Sequence, residues 1–586
     1  MTHARLPLTG SLLSLGLVFS AFALPATASA QSLGVCNSFY PSGYSVPQGK
    51  LNPPQPALSK PAKGSRFKEP SFGTCMVRAT DHAAEAPSTF ARNDYSRRQA
   101  FNADNSRFIV YSNDGWWHLY DANTLKHIHR LSPRAVNPST PAQYHMAGDA
   151  EPQWHPTDPN ALYYLPTNGG TTLLKLDVRN NSYQVAADFA GKLPSWGSTA
   201  RHIWTKSEGS PSADGRYWGF QVEDANFRLL GYMVWDLQQN RLAGSIQNSS
   251  RPDHSSMSAS GRWFVSSSDS NGTWAWSRDF KTKKKLLHKS EHSDLALGPN
   301  GQDYYVAIDY QSDKGDVFFV DIDACPAVPA SATSAPLCPR TTLFPTYENG
   351  SSAALHVSGK GFGKPGWAVI STYATKASRD GGWPWYTNKI FAVELKANPR
   401  IYPLAYTRAA GGGYWAEPHA SVSRDFSRVI FNSNWGKSGE DIDSYIVHIP
   451  TSALPGGSVP AAPVIGTGGN QPAAQLPATP RSQAPAQDGA STAQPAAPDP
   501  VADGGKGARE DVRSNERAIT IRPPALQFLE RLQAVPKPAP ERRVETRRAS
   551  YIAPLLALPG IGWSAQLGWT SWPLLHSVFD TTRDRD

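Results

Sequence analysis

His254-Ser-Ser-Met-Ser-Ala-Ser-Gly-Arg-Trp-Phe-Val265 and His419-Ala-Ser-Val-Ser-Arg-Asp-Phe-Ser-Arg-Val-Ile-Phe431 are two copies of one frame. Each opens on a histidine, passes a turn bearing Ser, Asp or Gly, and enters an apolar strand. The frame recurs as Glu208-Gly-Ser-Pro-Ser-Ala-Asp-Gly-Arg-Tyr-Trp-Gly-Phe220 and as Glu151-Pro-Gln-Trp-His-Pro-Thr-Asp-Pro-Asn-Ala-Leu-Tyr-Tyr164. Looser copies follow Arg98, His292 and His356. Between these leaders lie further strand patterns, such as Leu173 to Val178, Tyr232 to Leu237, Val317 to Ile322 and Ile390 to Leu395. Self-similarity at this spacing is the mark of radially repeated sheets, which leave few strand edges open. The reading is an all-β, seven-bladed β-propeller over residues 91–450. A β-sandwich is the structural alternative, and the repeated frames argue against it.

Composition agrees with many short strands and tight turns. The 586 residues hold 18 Trp, 47 Gly and 50 Pro, while charged residues are only 18%, which disfavours coiled coils and helical bundles. The last frame copy leaves too little chain before residue 450 for a full blade. The segment from Thr74 to Thr80, within an N-terminal extension over 31–90, is therefore expected to complete it and close the ring.

Residues 1–30 run from Arg5 through an apolar stretch, Leu12 to Leu24, to Ala28-Ser29-Ala30, the pattern of a secretory signal. The apolar run is shorter than the roughly 20 residues a membrane anchor needs. Export to the periplasm or the extracellular space is expected. All four cysteines follow that segment, and among three connectivities the favoured one joins Cys36 to Cys75 and Cys325 to Cys338. A zinc site is the alternative, without any Cys-x-x-Cys spacing to support it. Residues 451–507, rich in Pro, Ala, Gly, Gln and Ser, read as a disordered linker, and 508–586 as a low-order basic and apolar tail. The uncharged stretch Tyr551 to Phe579 contains Pro554, Pro559 and Pro573, which favours a disordered or partner-docking tail over a membrane span.

The formal charge is +9, but no dense Lys/Arg strip or P-loop is present. Nucleic acid is excluded as the first partner; an acidic saccharide or a protein fits better, and a monomer is expected. The first strand of each blade lines the axis, so the leaders Arg98, Glu151, Glu208, His254, His292, His356 and His419 are expected to form a ring there. For one isolated histidine, hydrogen bonding between blades is the plainer account. Four of the 15 histidines at equivalent places in consecutive blades point further, because imidazoles beside carboxylates suit a divalent metal, manganese or similar. A metal on a sugar carboxylate would stabilise the charge formed when a histidine base removes the neighbouring C5 proton.

The frames, together with Gln153-Trp-His-Pro-Thr-Asp-Pro159, resemble the TolB-like propellers and, within them, the oligogalacturonate lyases, which are seven-bladed and manganese-dependent. The likeness covers roughly residues 90–450, and ulvan lyases are a second relative in fold. The resemblance implies a ligand histidine at His356 and another at His419. Glu417 stands where the family has a middle histidine, and Tyr414 where it has a glutamine. His292 falls at the base. With His254 as a fourth ligand, the expected metal set is His254, His356, Glu417 and His419, and Arg98 is expected to meet a substrate carboxylate.

Large rings in Gly-rich loops, Trp383, Trp385, Tyr414, Trp415 and Trp435, are expected to stack on sugar faces, with Arg379 meeting a carboxylate; packing between blades is the alternative. Trp116, Trp117, Trp218 and Trp263 follow strand patterns and are expected in the core. No Gly-x-Ser-x-Gly elbow or His-Glu-x-x-His helix appears, which disfavours a conventional hydrolase. Two functions follow: metal-assisted β-elimination of an acidic oligosaccharide or polyuronate, or a non-catalytic periplasmic propeller acting as a protein-interaction module.

Overall fold

The structure, a computed structural model, describes residues 34–206, 208–411, 413–437, 439 and 441–456. The expected signal segment and nearly all of the expected linker and tail lie outside the described residues. Within them, no helix is long and apolar enough to cross a membrane.

The repeated frame is the turn between the first two strands of a sheet. Backbone N–H groups of Ser212, Ser258 and Ser423 donate to the carbonyls of Tyr217, Trp263 and Arg428, each at 2.9 Å. The chain reverses through left-handed backbone at Gly215 (φ 72) and Gly261 (φ 75), where a side chain would be strained. Phe426 takes that conformation itself at φ 64, and its ring packs edge-on against Trp367.

The strands that follow build antiparallel meanders. Gln153–Trp154, Ala161–Tyr164, Thr172–Asp177 and Ser182–Asp188 form one sheet, and His202–Trp204, Tyr217–Glu223, Leu229–Asp236 and Arg241–Gln247 the next. Three more begin at His254–Met257, Ser293–Leu297 and Ser352–Ser358. The largest sheet joins two such groups. Phe90–Arg92 leads into Arg107–Ser112, Trp117–Asp121 and His127–Leu131, while Ser421–Val422, Arg428–Ser433 and Ile442–His448 continue into the N-terminal strands Cys75–Arg78 and Arg66–Lys68. The two groups meet where Phe90 pairs in parallel with Ile442. Inner and middle strands are buried on both faces, so Tyr217–Glu223 reads as an almost unbroken buried run, whereas the outer strand Ser182–Asp188 is mostly exposed.

Most core clusters bridge two successive sheets. Trp117 and Leu119 pack with Leu162 and Leu174, Tyr163 and Leu173 with Trp218 and Trp235, and Val306 and Phe344 with Leu355 and Phe391. Val77, Phe108 and Tyr120 pack with Ile430 and Ile446, which joins the last strand group of the largest sheet to its first. Sheets stacked face to face around a closed circuit make a β-propeller. Trp117 and Trp218 lie in this core as expected; Trp116 and Trp263 are half-exposed.

Polar groups fasten the closure. Asp443, on Ile442–His448, is fully buried and accepts from Thr80 Oγ1 at 3.1 Å and from the His82 backbone N–H at 3.0 Å. Lys60 Nζ lies at 2.9 Å and Arg78 Nη2 at 2.7 Å. All four partners come from the N-terminal extension.

Both expected disulfides are present, Cys36–Cys75 and Cys325–Cys338. Such bonds suit an oxidising compartment. Cys36–Cys75 spans 39 residues and holds the closing strand. A loop of that length constrains the unfolded chain by about 4 kcal/mol. Cys36→Ala is therefore expected to lower the unfolding free energy measured in urea by that order, and an unchanged value would show that the strand needs no staple.

Candidate functional site

Six of the seven leaders come together, in two unlike halves. In the first half carboxylates are matched to arginines. Arg98 donates from Nε to Asp94 at 2.6 Å, from Nη2 to Glu151 at 3.0 Å and from Nη1 to the Pro152 carbonyl at 3.0 Å. Arg97 donates to Glu208 at 3.1 Å. Glu151 and Glu208 adopt left-handed backbone, φ 52 and 62, as does His419 at φ 39. Such non-glycine conformations cost about 1–3 kcal/mol each and persist where the surroundings over-determine them. Here arginines hold the two acidic leaders. The expectation that Arg98 meets a substrate carboxylate is corrected: it is buried, and its donors already serve two carboxylates and a carbonyl.

The second half gathers imidazoles. His292 stacks on His356 with ring centroids 4.8 Å apart, His356 on Tyr373 at 4.8 Å, and His356 lies 4.3 Å from His419. Tyr95 covers both, 5.1 Å from His356 and 4.7 Å from His419. His356 Nε2 is 3.0 Å and His419 Nε2 3.3 Å from the same oxygen, Glu417 Oε2. His356 and His419 are buried; the Glu417 side chain keeps 18% exposure. Solvent thus meets Glu417, Tyr373, His292 and Tyr414 first, with the two ligand imidazoles behind.

Burial governs the charges. It pushes the Glu417 carboxyl up to about 7, against His292, a hydrogen bond from Tyr373 and Arg92. Burial and the adjacent His356 bring His292 down to about 4, so its ring is neutral at pH 7. Burial and the Glu417 charge raise the Tyr373 phenol well above its usual value, keeping its proton.

His254 does not join this group. Its Nε2 faces Ser293 Oγ at 3.2 Å, and the mutually close ligand atoms are those of His356, Glu417 and His419. The expected sugar-stacking rings are corrected in part. Trp385 and Trp435 are buried, in clusters with Phe344 and with Phe431, and belong to the core. Tyr414 and Trp415 lie against the Arg92 guanidinium, at 5.5 and 5.1 Å from their ring centres. Arg379 is exposed, and Trp383 is 56% exposed. Trp383→Ala is expected to change stability by less than about 0.5 kcal/mol in urea unfolding, because the hydrogen bond from Asn52 is to its backbone carbonyl.

Four residues at the site belong neither to the leaders nor to the other expected site residues: Arg92, Tyr95, Arg97 and Tyr373. The run Tyr95-Ser-Arg97-Arg98 sits just ahead of a frame copy, and its arginine pair was the available signal. Tyr373 sits on the second strand of its sheet, Trp367–Lys376, beyond the end of the frame copy that follows His356.

No protein-family model and no curated protein matches the chain. Among solved structures it is similar to an oligogalacturonate lyase from Vibrio parahaemolyticus, with TM-score 0.43 and 13% identity over 67% of this chain and 97% of that one. It is also similar to an oligogalacturonate lyase in complex with manganese, with TM-score 0.42 and 14% identity over 66% and 96%. The WD40 domain of Neurospora crassa Pan2 gives TM-score 0.33 and 13% identity over 61% and 89%.

His356, Glu417 and His419 each offer a ligand atom, all within 4.8 Å of one another. That spacing suits a small divalent ion, whose neighbouring ligands stand about 3 Å apart when bonds are about 2.1 Å long. The second imidazole nitrogens decide the fit. A metal-bound histidine presents a lone pair to the ion and donates its other N–H to an acceptor. His356 Nδ1 has no hydrogen-bond partner and can hold that proton. His419 Nδ1 instead faces Arg92 Nη2, a group that only donates. Its proton is thereby placed on Nε2, beside Glu417. A nitrogen that carries a proton cannot also be a ligand, so the arrangement fits a metal with three protein ligands poorly.

Proposed function

We propose that the chain is an exported, seven-bladed propeller that binds an acidic oligosaccharide at this axial mouth and cleaves it by β-elimination. The seven-blade count treats the two groups of the largest sheet as separate blades. The observation that carries the reading is the convergence of three neutral imidazoles, a carboxylate and a protonated tyrosine beside two arginines. His292 Nδ1 faces the Leu355 carbonyl, which can only accept, so the proton rests on Nδ1 and Nε2 carries the lone pair. A neutral imidazole of that tautomer is a general base. In the step, His292 takes the C5 proton of a uronate, its C–H electrons form the C4=C5 double bond, and the C4–O bond breaks. The departing oxygen receives the Tyr373 proton. Arg92 and Arg97 supply the positive field that favours the substrate carboxylate and the charge building on it.

The test follows the absorbance of unsaturated uronate ends on a panel of polyuronates. Signal on at least one polymer is expected. Absence of signal on all of them, with binding of one retained, would leave a saccharide-binding module; absence of both would leave the protein-interaction reading. That second reading is favoured by one observation: the Glu417 and Tyr414 side chains stand where the resemblance implies a histidine and a glutamine.

A further inference from the structure

We propose that Arg92 takes the place of a divalent cation in this site and prevents one from binding there. The inference rests on the reading of this cluster as the ligand site, but its measurement is metal binding rather than turnover.

Arg92 ends the strand Phe90–Arg92 and is completely buried. One donor is fixed: Nη2 donates to the Asp94 carbonyl at 2.9 Å and also faces His419 Nδ1. Nε and Nη1 are buried without a hydrogen-bond partner. The rings of Phe90, Tyr414 and Trp415 surround the guanidinium at 5.9, 5.5 and 5.1 Å. An aromatic cage of this kind stabilises a permanent cation through the ring quadrupoles. Phe90 in turn stacks on Trp415 at 4.8 Å, and Tyr414 lies 4.9 Å from His419.

Two consequences follow for the three ligand atoms. The guanidinium can only donate, so it demands the lone pair of His419 Nδ1 and leaves the proton on Nε2, which lies 3.3 Å from Glu417 Oε2 without a hydrogen bond to it and has no lone pair for an ion. It also places a fixed positive charge one imidazole away from the position an ion would take, with Arg97 a second cation in the same cluster. The carboxylate of Glu417 already answers that charge. An acidic ligand at the mouth would feel the charges of the buried Arg92 and Arg97 as a field rather than touch their donors.

The test uses the full chain, freed of metal by chelation and titrated with Mn²⁺ and with Zn²⁺ by calorimetry. Arg92→Gln places an amide oxygen where His419 Nδ1–H could donate, the usual outer support of a metal histidine. The wild type is expected to show no stoichiometric site. Arg92→Gln is expected to bind one ion, with an affinity gain of at least roughly tenfold to hundredfold, and His356→Ala in the Arg92→Gln background is expected to lose it. One ion bound by the wild type and lost in His356→Ala would overturn the proposal, as would a folded Arg92→Gln chain with no gain. A second measurement does not depend on the variant folding. Histidine-selective ¹⁵N spectra of the wild type, with His419→Ala for assignment, are expected to show the His419 proton on Nε2. A proton on Nδ1 would sink the idea.

Discussion

Asp443→Asn is expected to cost about 3–5 kcal/mol of stability, because it removes the buried anion on which the ring closure is fastened. Lys60 and Arg78 converge on the Asp443 carboxylate at 2.9 and 2.7 Å. An asparagine oxygen still accepts from Thr80 and His82 but leaves both cations short of an anion. Asp441, also 2.8 Å from Lys60, and Asp81, 3.3 Å from Arg78, compensate only in part, being each 33% exposed. Asp441→Asn provides the contrast: a half-exposed partner is worth about 1 kcal/mol or less. Urea midpoints check both, and a midpoint for Asp443→Asn within 0.5 kcal/mol of wild type (about the scatter of surface substitutions) would refute the latch. The same group sets an acid limit. Burial alone would raise the Asp443 carboxyl, but the His82 hydrogen bond, Lys60 and Arg78 more than offset it and hold it well below the usual carboxylate range. A depressed folded value means stability that is present above the unfolded pKa of about 3.9 and lost as pH falls through the folded value. Wild type is expected to lose that increment on acidification, and Asp443→Asn to lack it at every pH.

His82, Asp441 and Asp443 also lie close enough to hold an ion. Lys60 and Arg78 already neutralise those oxygens, so the group is an ion-pair clasp. The axial cluster is built differently: there Arg92 lies against the far nitrogen of His419 rather than on the Glu417 carboxylate.

The frame was legible because a turn is a local object. Ser212 to Gly215 and Ser258 to Gly261 close on their own backbone, and their spacing alone orders the sheets. The imidazole half of the axis was legible for the same reason: His292, His356 and His419 each stand on or just before a first strand. His254 shows the limit. It holds the same place in its frame as His419, four residues before Ser258 and Ser423, yet its ring faces Ser293, so an equivalent position in the repeat does not by itself bring a side chain into the cluster. Arg92, Arg97 and Tyr373 were hidden for a different reason. Each reaches the axis from outside the frame, Tyr373 across a sheet and Arg92 through the length of its side chain, so only the assembled packing brings them together. Trp385 and Trp435 were misread because Gly-rich neighbours suggested exposed loops, while stacked sheets need large rings to fill the space between them.

His292→Ala is expected to lower the elimination rate by roughly a hundredfold to ten-thousandfold, the contribution of a placed general base. The size follows from how completely the ring is prepared. Its tautomer is set by the Leu355 carbonyl, its plane by stacking on His356 at 4.8 Å, and its neutrality by burial beside that ring. With the ring brought down to about 4, the base form is present from weakly acidic pH upward. Substrate binding is expected to survive, since the cationic groups, Arg92 and Arg97, are untouched; the loss therefore falls on kcat more than on KM. Tyr373→Phe keeps the stack on His356 and removes only the acidic proton, so it is expected to lower kcat by a smaller factor and to spare leaving groups that depart as weak bases. A loss in kcat that is the same for good and poor leaving groups would mean that Tyr373 positions the imidazoles rather than protonating the leaving oxygen. Retention of the full rate in His292→Ala would remove the base from the scheme, and with it the case for elimination at this mouth.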